Sequence, residues 1–248
     1  MRPETIIKAL TRVYLNDSPL PEEALRAASR QRAEMLPLFL AEVEKFVALP
    51  SKARYKATPV LLIFFLLGEY GDPIAYRPLT RLISCPEFSD RPRFADAFDI
   101  LGHRVLAAVY DGDPTPLYEV VLNSKADRIC RSNILYATLP GLIVNGKLDR
   151  ESVANFLIDA FDEIDHPSVW RAWATLAADL NLSALRPMVK QAIEEECFDG
   201  YDIKEFDDGL AKTGEEPFRP DPNQDFSPFE DVYTEVDYFI DYLGGCAR

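Results

Sequence analysis

The chain has 248 residues, 48% of them hydrophobic, enough to bury a sizeable core in one elongated array or two small domains. Its formal net charge is -14, and the acidity sits at one end: residues 194–248 hold 17 Asp/Glu against 4 Lys/Arg, while residues 1–193 hold 24 against 23. A field of that sign repels phosphate backbones and anionic membrane surfaces, so nucleic acid and membrane are set aside as partners.

The opening, Met1-Arg-Pro-Glu-Thr-Ile-Ile-Lys, has no uninterrupted apolar stretch and no small-residue cleavage site, so no secretory signal is expected. Ile6, Ile7, Leu10, Val13 and Tyr14 recur at helical spacing. After Ser18-Pro-Leu-Pro21 a second stretch carries Leu25, Ala28 and Arg32 toward Leu36-Pro-Leu-Phe-Leu40. Ser18 or Leu20 is its expected cap, Pro21 its first-turn residue, and Glu22 and Glu23 face the positive end of the helix dipole. Val43, Phe46, Val47 and Leu49 prolong the apolar face to a breaker at Pro50-Ser51. Residues 1–50 thus read as N-terminal capping helices.

Residues 51–197 repeat a pattern in which an apolar helix breaks at a turn and a second amphipathic helix follows. Leu67-Gly-Glu-Tyr-Gly-Asp-Pro leads to Arg77-Pro-Leu79, Val109-Tyr-Asp-Gly-Asp-Pro leads to Pro116-Leu117, and a later copy reads Leu180-Asn-Leu-Ser-Ala-Leu-Arg186-Pro-Met188. The pairs are expected at 58–68 with 76–84, 94–110 with 115–123, 128–145 with 150–162, and 168–181 with 184–196. Equivalent second-helix positions Leu79, Leu117, Val153 and Met188 stand 38, 36 and 35 residues apart. Each pair leaves an apolar strip that only a neighbouring pair can cover. The strongest apolar run, Val60 to Leu67, has eight residues, far short of the roughly 20 of a membrane span, and reads as a buried core helix.

Among the first helices, Asp127-Arg-Ile-Cys-Arg131 with Ala137 aligns with Pro167-Ser-Val-Trp-Arg171 with Ala177 at a displacement of 40. Asp127 or Ser168 can accept from free first-turn N–H groups, Pro167 suits a first turn, and the alanines allow close helix approach.

The last fifty residues, 198–248, change character. Asp199-Gly-Tyr-Asp and Glu215-Glu-Pro-Phe-Arg-Pro-Asp-Pro-Asn223 are acidic and proline-rich, with one or two helical turns between them at Ile203 to Leu210. From Phe226 to Leu243, the residues Phe229, Val232, Val236, Phe239, Ile240 and Leu243 regain helical spacing opposite Glu230, Asp231, Glu235, Asp237 and Asp241. This reads as a helix docking on the last repeat or on a partner.

The Asp-Pro-like caps, the basic residue one turn in and the small crossing residues resemble the HEAT repeat. The segment Leu61-Leu-Ile-Phe-Phe-Leu-Leu-Gly-Glu-Tyr-Gly-Asp72, the following Arg77-Pro-Leu79 and the Tyr110-Asp-Gly-Asp-Pro114 echo resemble, over residues 5–200, the uncharacterised bacterial domain-of-unknown-function proteins built from HEAT-like pairs. The resemblance implies an all-α superhelix, or solenoid, of about four pairs. Some members carry a C-terminal cysteine-rich zinc knuckle; here Gly244-Gly-Cys-Ala-Arg248 has one cysteine and no histidine, so a partner recruited by that knuckle is in doubt.

The four cysteines Cys85, Cys130, Cys197 and Cys246 lie 45, 67 and 49 residues apart, which is no zinc-knuckle spacing. They read as reduced thiols, and the expected compartment is the cytoplasm. Asp159, Glu163 and His166 fall at i, i+4, i+7, but Pro167 breaks the helix that would align them. His103 has no Cys or Ser placed near it by sequence and reads as packed or partly exposed. Neither a phosphate loop, a nucleophile elbow, His-Glu-x-x-His nor a dinucleotide fingerprint occurs, so no catalytic residue, metal or cofactor is assigned.

What remains is a binding surface. Trp170 and Trp173 flank Arg171 at a helix start, either as a contact cluster or as seam filling between repeats. The second helices offer Arg77, Arg81, Tyr118, Asn123, Arg186 and Lys190 as a mildly basic strip, for an acidic partner segment or for the chain's own tail. The expectation is therefore a non-enzymatic protein-binding scaffold with an unidentified protein partner, and homo-oligomerisation through an end repeat is open. The alternative is a helical-repeat enzyme of base-glycosylase or pigment-lyase type, of which the glycosylase needs a basic groove that the charge balance opposes.

Overall fold

The computed structural model describes residues 1–12, 20–49, 59–86 and 98–236, which are helical, with no strand among them. In chain order the helices are α1 Pro3–Arg12, α2 Glu22–Arg30, α3 Arg32–Ala48, α4 Val60–Tyr70, α5 Tyr76–Ile83 and α6 His103–Val109. They continue as α7 Thr115–Leu122, α8 Arg128–Asn133, α9 Leu139–Val144, α10 Arg150–Asp159, α11 Pro167–Asp179, α12 Arg186–Glu194 and α13 Ile203–Thr213. Two π-helical turns interrupt the regular hydrogen bonding, Phe98–Gly102 ahead of α6 and Ile134–Thr138 joining α8 to α9. Among the described residues no helix is long and apolar enough to cross a membrane.

The chain forms two compact units, one of Met1–Asp111 with Pro228–Arg248 and the other of Gly112–Ser227. In the first, α4 is the centre: Val60, Ile63, Leu66 and Leu67 are fully buried, and α2, α3 and α6 pack around it. An apolar helix so short is stable here because its whole circumference leaves water. Tyr70 donates from its hydroxyl to the Ala28 carbonyl at 2.8 Å, and burial pushes its phenol above the ordinary range. Gly71 then ends α4 with φ +57, a left-handed turn that costs glycine nothing.

Sequence and structure part company at the first helices. Pro21 is the N-cap residue of α2 rather than its first-turn residue, and the single stretch expected from there to Leu49 is two helices that meet at Gln31. The Gln31 N–H bonds back to Ala27 and Ala28 while its backbone leaves helical geometry, so the axis restarts there. Ser18, Val13, Tyr14 and the breaker Pro50-Ser51 lie outside the described residues.

The second unit is built on α11. Trp173 is fully buried and donates from its indole to the Leu157 carbonyl at 2.8 Å, while Phe161 and Trp170 close around it with ring centres 5.7 and 5.5 Å away. Asn181 ends α11 in left-handed geometry, φ 54, and the Leu182 N–H reaches back to the Ala177 carbonyl. The Asn181 amide also ties down the carbonyls of Gly214 and Glu216, each at 3.1 Å.

The acidic segment is part of both cores. Residues 203–213 form a full helix, α13, whose Phe206 is fully buried. A Cβ on Gly209 would stand 2.9 Å from the Ala178 Cβ, so glycine is what lets α13 lie against α11. The helix expected from Phe226 begins only at residue 232, where the Asp231 carboxylate accepts from the Thr234 N–H. Its anchors Phe229, Val232 and Val236 are buried in the first unit, where the sequence pointed to the last repeat or to a partner. Phe229 stacks on Phe65 with centroids 6.0 Å apart, and the Val232 N–H donates to Glu69 at 2.9 Å. Phe239, Ile240, Leu243, Asp237 and Asp241 lie outside the described residues.

Candidate functional site

In the second unit the helical run 128–144 and α11 lie side by side, with the Ser132 hydroxyl donating to Ser168 Oγ at 3.4 Å. Ala137 and Ala177, the small residues of the displaced motif, are both fully buried where the neighbours meet. Between the two helices opens a cleft of about 870 Å³, within the roughly 300–1,000 Å³ of ligand pockets. Arg128, Ser132 and Tyr136 line it from one helical run, one turn apart, and Ser168, Arg171 and Thr175 line it from α11. Asp199, Asp221 and Gln224 form the remaining wall. The π turn carries Tyr136, and such insertions re-aim side chains relative to a regular helix.

The start of α11 differs from expectation: His166, not Ser168, is the N-cap residue. Its Nδ1 accepts from the Ser168 N–H at 3.2 Å and lies 2.9 Å from the Ser168 hydroxyl. Accepting an N–H requires a bare Nδ1 lone pair, so the imidazole serves as a cap. The N–H groups of Val169 and Trp170 both donate to the His166 carbonyl. The Ser168 N–H and hydroxyl thus both meet Nδ1, which is capping chemistry at the start of α11. Asp159 ends α10 and Glu163 sits in a short 3₁₀ turn, so neither shares a helix face with His166. Among the described residues no group of three His, Cys, Asp or Glu side chains is arranged to hold a metal.

Asp127 does cap α8, accepting from the Ile129 N–H at 2.7 Å. The two arginines of the displaced motif nonetheless have different fates. Arg131 is 2% exposed, donates to the Val121 carbonyl and pairs with Asp165 at 2.7 Å. Arg171 stays in water and pairs with Glu205 at 3.0 Å, lying over the Tyr201 ring. Burial, reinforced by Glu205, pushes Tyr201 up to about 12.

A second recess of about 550 Å³ adjoins the first and shares Arg171, Thr175 and Asp221 with it. Here burial and the neighbouring Asp221 carboxylate push Asp179 up to about 6, with Lys212 opposing. Asp179 is also the last residue of α11, at the negative end of its dipole. An acid whose folded value exceeds its unfolded value of about 3.9 contributes stability below pH 4 that is lost as pH rises through 6. Asp179→Asn should therefore unfold later than the wild type at pH 7.5, by on the order of 1 kcal/mol after solvent screening, with the difference fading toward pH 4. Urea unfolding at both pH values checks this, and an equal difference at the two would contradict it.

The binding residues read from sequence are dispersed. In the first unit Arg77 pairs with Asp111 at 3.1 Å, and Arg81 pairs with Glu44. In the second, Tyr118 stacks on Phe156 with centroids 3.9 Å apart, Asn123 caps its own turn by accepting from the Lys125 N–H, and Lys190 pairs with Glu194 at 3.5 Å. Arg186 makes two 2.8 Å contacts with Asp207 of α13, which hold that carboxylate below its ordinary range. Trp170 is 5% exposed and Trp173 fully buried, so both indoles fill the core. His103 is likewise buried, at the first residue of α6. Cys85 and Cys130 are buried, Cys197 is half-exposed, and Cys246 lies outside the described residues. Arg128, Ser132, Tyr136, Asp221 and Gln224, which line the cleft, were not singled out from sequence. The visible signal was the spacing of Arg128, Ser132 and Tyr136, each four residues from the next and so on one helix face.

Residues 3–241 match the model of a family described as Protein of unknown function (DUF1186). No curated protein and no solved structure matches the chain.

Proposed function

The chain belongs to this family of proteins of unknown function, and from that starting point we propose that it is a non-enzymatic scaffold of HEAT-like helical pairs that binds an acidic segment of a partner protein. The observation that carries this reading is the two-point contact of Arg186, on the second helix of a pair, with Asp207 of the chain's own acidic segment. Arg171 with Glu205 repeats it on a first helix. The chain thus supplies an internal stand-in for the acidic ligand that such basic positions attract. Repeat steps of 38, 36 and 35 residues support the stacked-pair reading, and four cysteines spaced 45, 67 and 49 residues apart support a reducing bacterial cytoplasm as its setting.

The test separates the two sides of that contact. With tagged full-length protein and quantitative mass spectrometry of captured proteins, Asp207→Asn should enrich a set of interactors that Arg186→Glu depletes. Indistinguishable sets for the wild type and both variants would overturn the reading.

A further inference from the structure

We propose that the cleft between α11 and the helical run 128–144 binds a small bipolar ligand. One end of that ligand is a carboxylate or phosphate, and the other carries hydroxyl or ammonium donors. Of the six arginines in the second unit, five have an acceptor. Arg131 has Asp165, Arg150 the Leu180 carbonyl, Arg171 Glu205, Arg186 Asp207 and Arg219 the Lys212 carbonyl. Arg128 has none among the described residues, and it stands exposed in the cleft lining with the Ser132 hydroxyl one turn further along the same face. A guanidinium that presents its donor fork to a cavity matches the planar geometry of a carboxylate and the oxygens of a phosphate.

The opposite polarity lies at the other end. The Arg219 N–H donates to the carbonyl of Asp179, the last residue of α11, and the Asn145 amide donates to the Phe226 carbonyl just beyond α9. Residues 219–226 therefore bridge the C-terminal ends of both cleft helices. This places Asp221 and Gln224 far from Arg128 and His166, which mark the helix starts. The eight-residue step from Arg128 to Tyr136 alone covers about 12 Å of helix axis, so the cleft has room along it for a ligand the length of a sugar phosphate or a short amino acid chain. The α11 dipole runs the same way, positive toward the anion end and negative toward Asp221. Ser132, Tyr136, Ser168 and Thr175 line the path between with hydroxyls. A bare dianion meets Asp199 and Asp221 across the cleft and is disfavoured; a ligand whose far end donates to Asp221 is not.

Isothermal titration of the full-length chain with inorganic phosphate, glucose 6-phosphate and 6-aminohexanoate, at matched ionic strength, tests this. At least one of the two bipolar probes should bind saturably and more tightly than inorganic phosphate, and which one does so assigns the anion as phosphate or carboxylate. Arg128→Ala should weaken that probe by about tenfold or more, with Arg128→Lys between, since Arg128 holds no structural contact whose loss would disturb folding. Asp221→Asn, which keeps an oxygen to accept from the Asn223 N–H, should weaken the bipolar probe while inorganic phosphate, relieved of a repelling carboxylate, binds no less tightly than to the wild type. The proposal is overturned if no probe binds, if Arg128→Ala binds as well as the wild type, or if inorganic phosphate binds as tightly as both bipolar probes.

Discussion

Phe206→Ala should lower the unfolding free energy of the chain by about 3–5 kcal/mol, the range for truncating a fully buried aromatic ring. Phe206 is 0% exposed in the first turn of α13, and the helix around it has little freedom to collapse into the gap. One turn on, Gly209 already lies against Ala178, and a turn further the Thr213 hydroxyl donates to the Ala178 carbonyl at 3.1 Å. By contrast, Asp207→Asn at the exposed rim of the same helix should leave the urea midpoint essentially unmoved. A Phe206→Ala loss below about 1 kcal/mol would mean that α13 is only loosely applied to α11. The consequence concerns how function is probed. Removing residues from 199 onward takes Phe206 and Thr213 out of the second unit and Phe229, Val232 and Val236 out of the first, so truncation reads folding before it reads binding. Single charge changes at Arg186 and Asp207 avoid that confusion.

Arg104→Ala should be comparably damaging in the first unit, by about 3–5 kcal/mol, because it strands a charge rather than merely removing one. The Arg104 side chain is 8% exposed and that of Glu235 is 18% exposed. The guanidinium spans both carboxylate oxygens at 2.7 and 2.5 Å, donates to the Pro228 carbonyl at 2.7 Å, and sits 5.7 Å over the Phe229 ring. Without it, Glu235 must either ionise unpaired in a half-dry setting or pull residues 228–236 away from the unit. Arg104→Met combined with Glu235→Leu removes both charges and keeps apolar volume, so it should recover most of the loss. Urea unfolding of the single and double variants closes the cycle. If the double variant is no more stable than Arg104→Ala, then packing by the guanidinium and not its charge is what holds the segment.

Local signals foretold local structure well. The expected second helix at 76–84 is Tyr76–Ile83, that at 115–123 is Thr115–Leu122, and the run 128–145 is helical through Val144. Asp127 caps where a carboxylate before an apolar stretch should cap, and the eight-residue apolar run is the centre of a core. Helix type and limits depend on neighbours within one or two turns, so residue spacing carries them. The π turns at 98–102 and 134–138 left no such mark, because one extra residue in a turn is decided by what the flanking helices must both reach.

Periodicity and composition alone determined that the described residues are helical, that the net negative charge is concentrated in residues 194–248, and that this segment holds an amphipathic stretch. Tertiary structure alone decided what those features meet. Arg131 and Arg171 occupy equivalent motif positions, yet one is sealed against Val121 and Asp165 and the other stands in water beside Glu205. Phe229 and Val236 read as anchors for some surface, and only the folded chain shows that surface to include Phe65 and Arg104, more than a hundred residues earlier. The reason is physical: hydrophobic burial rewards any apolar surface nearly alike. Which surface is chosen depends on shape and on a few charge pairs that come together only after the chain has closed.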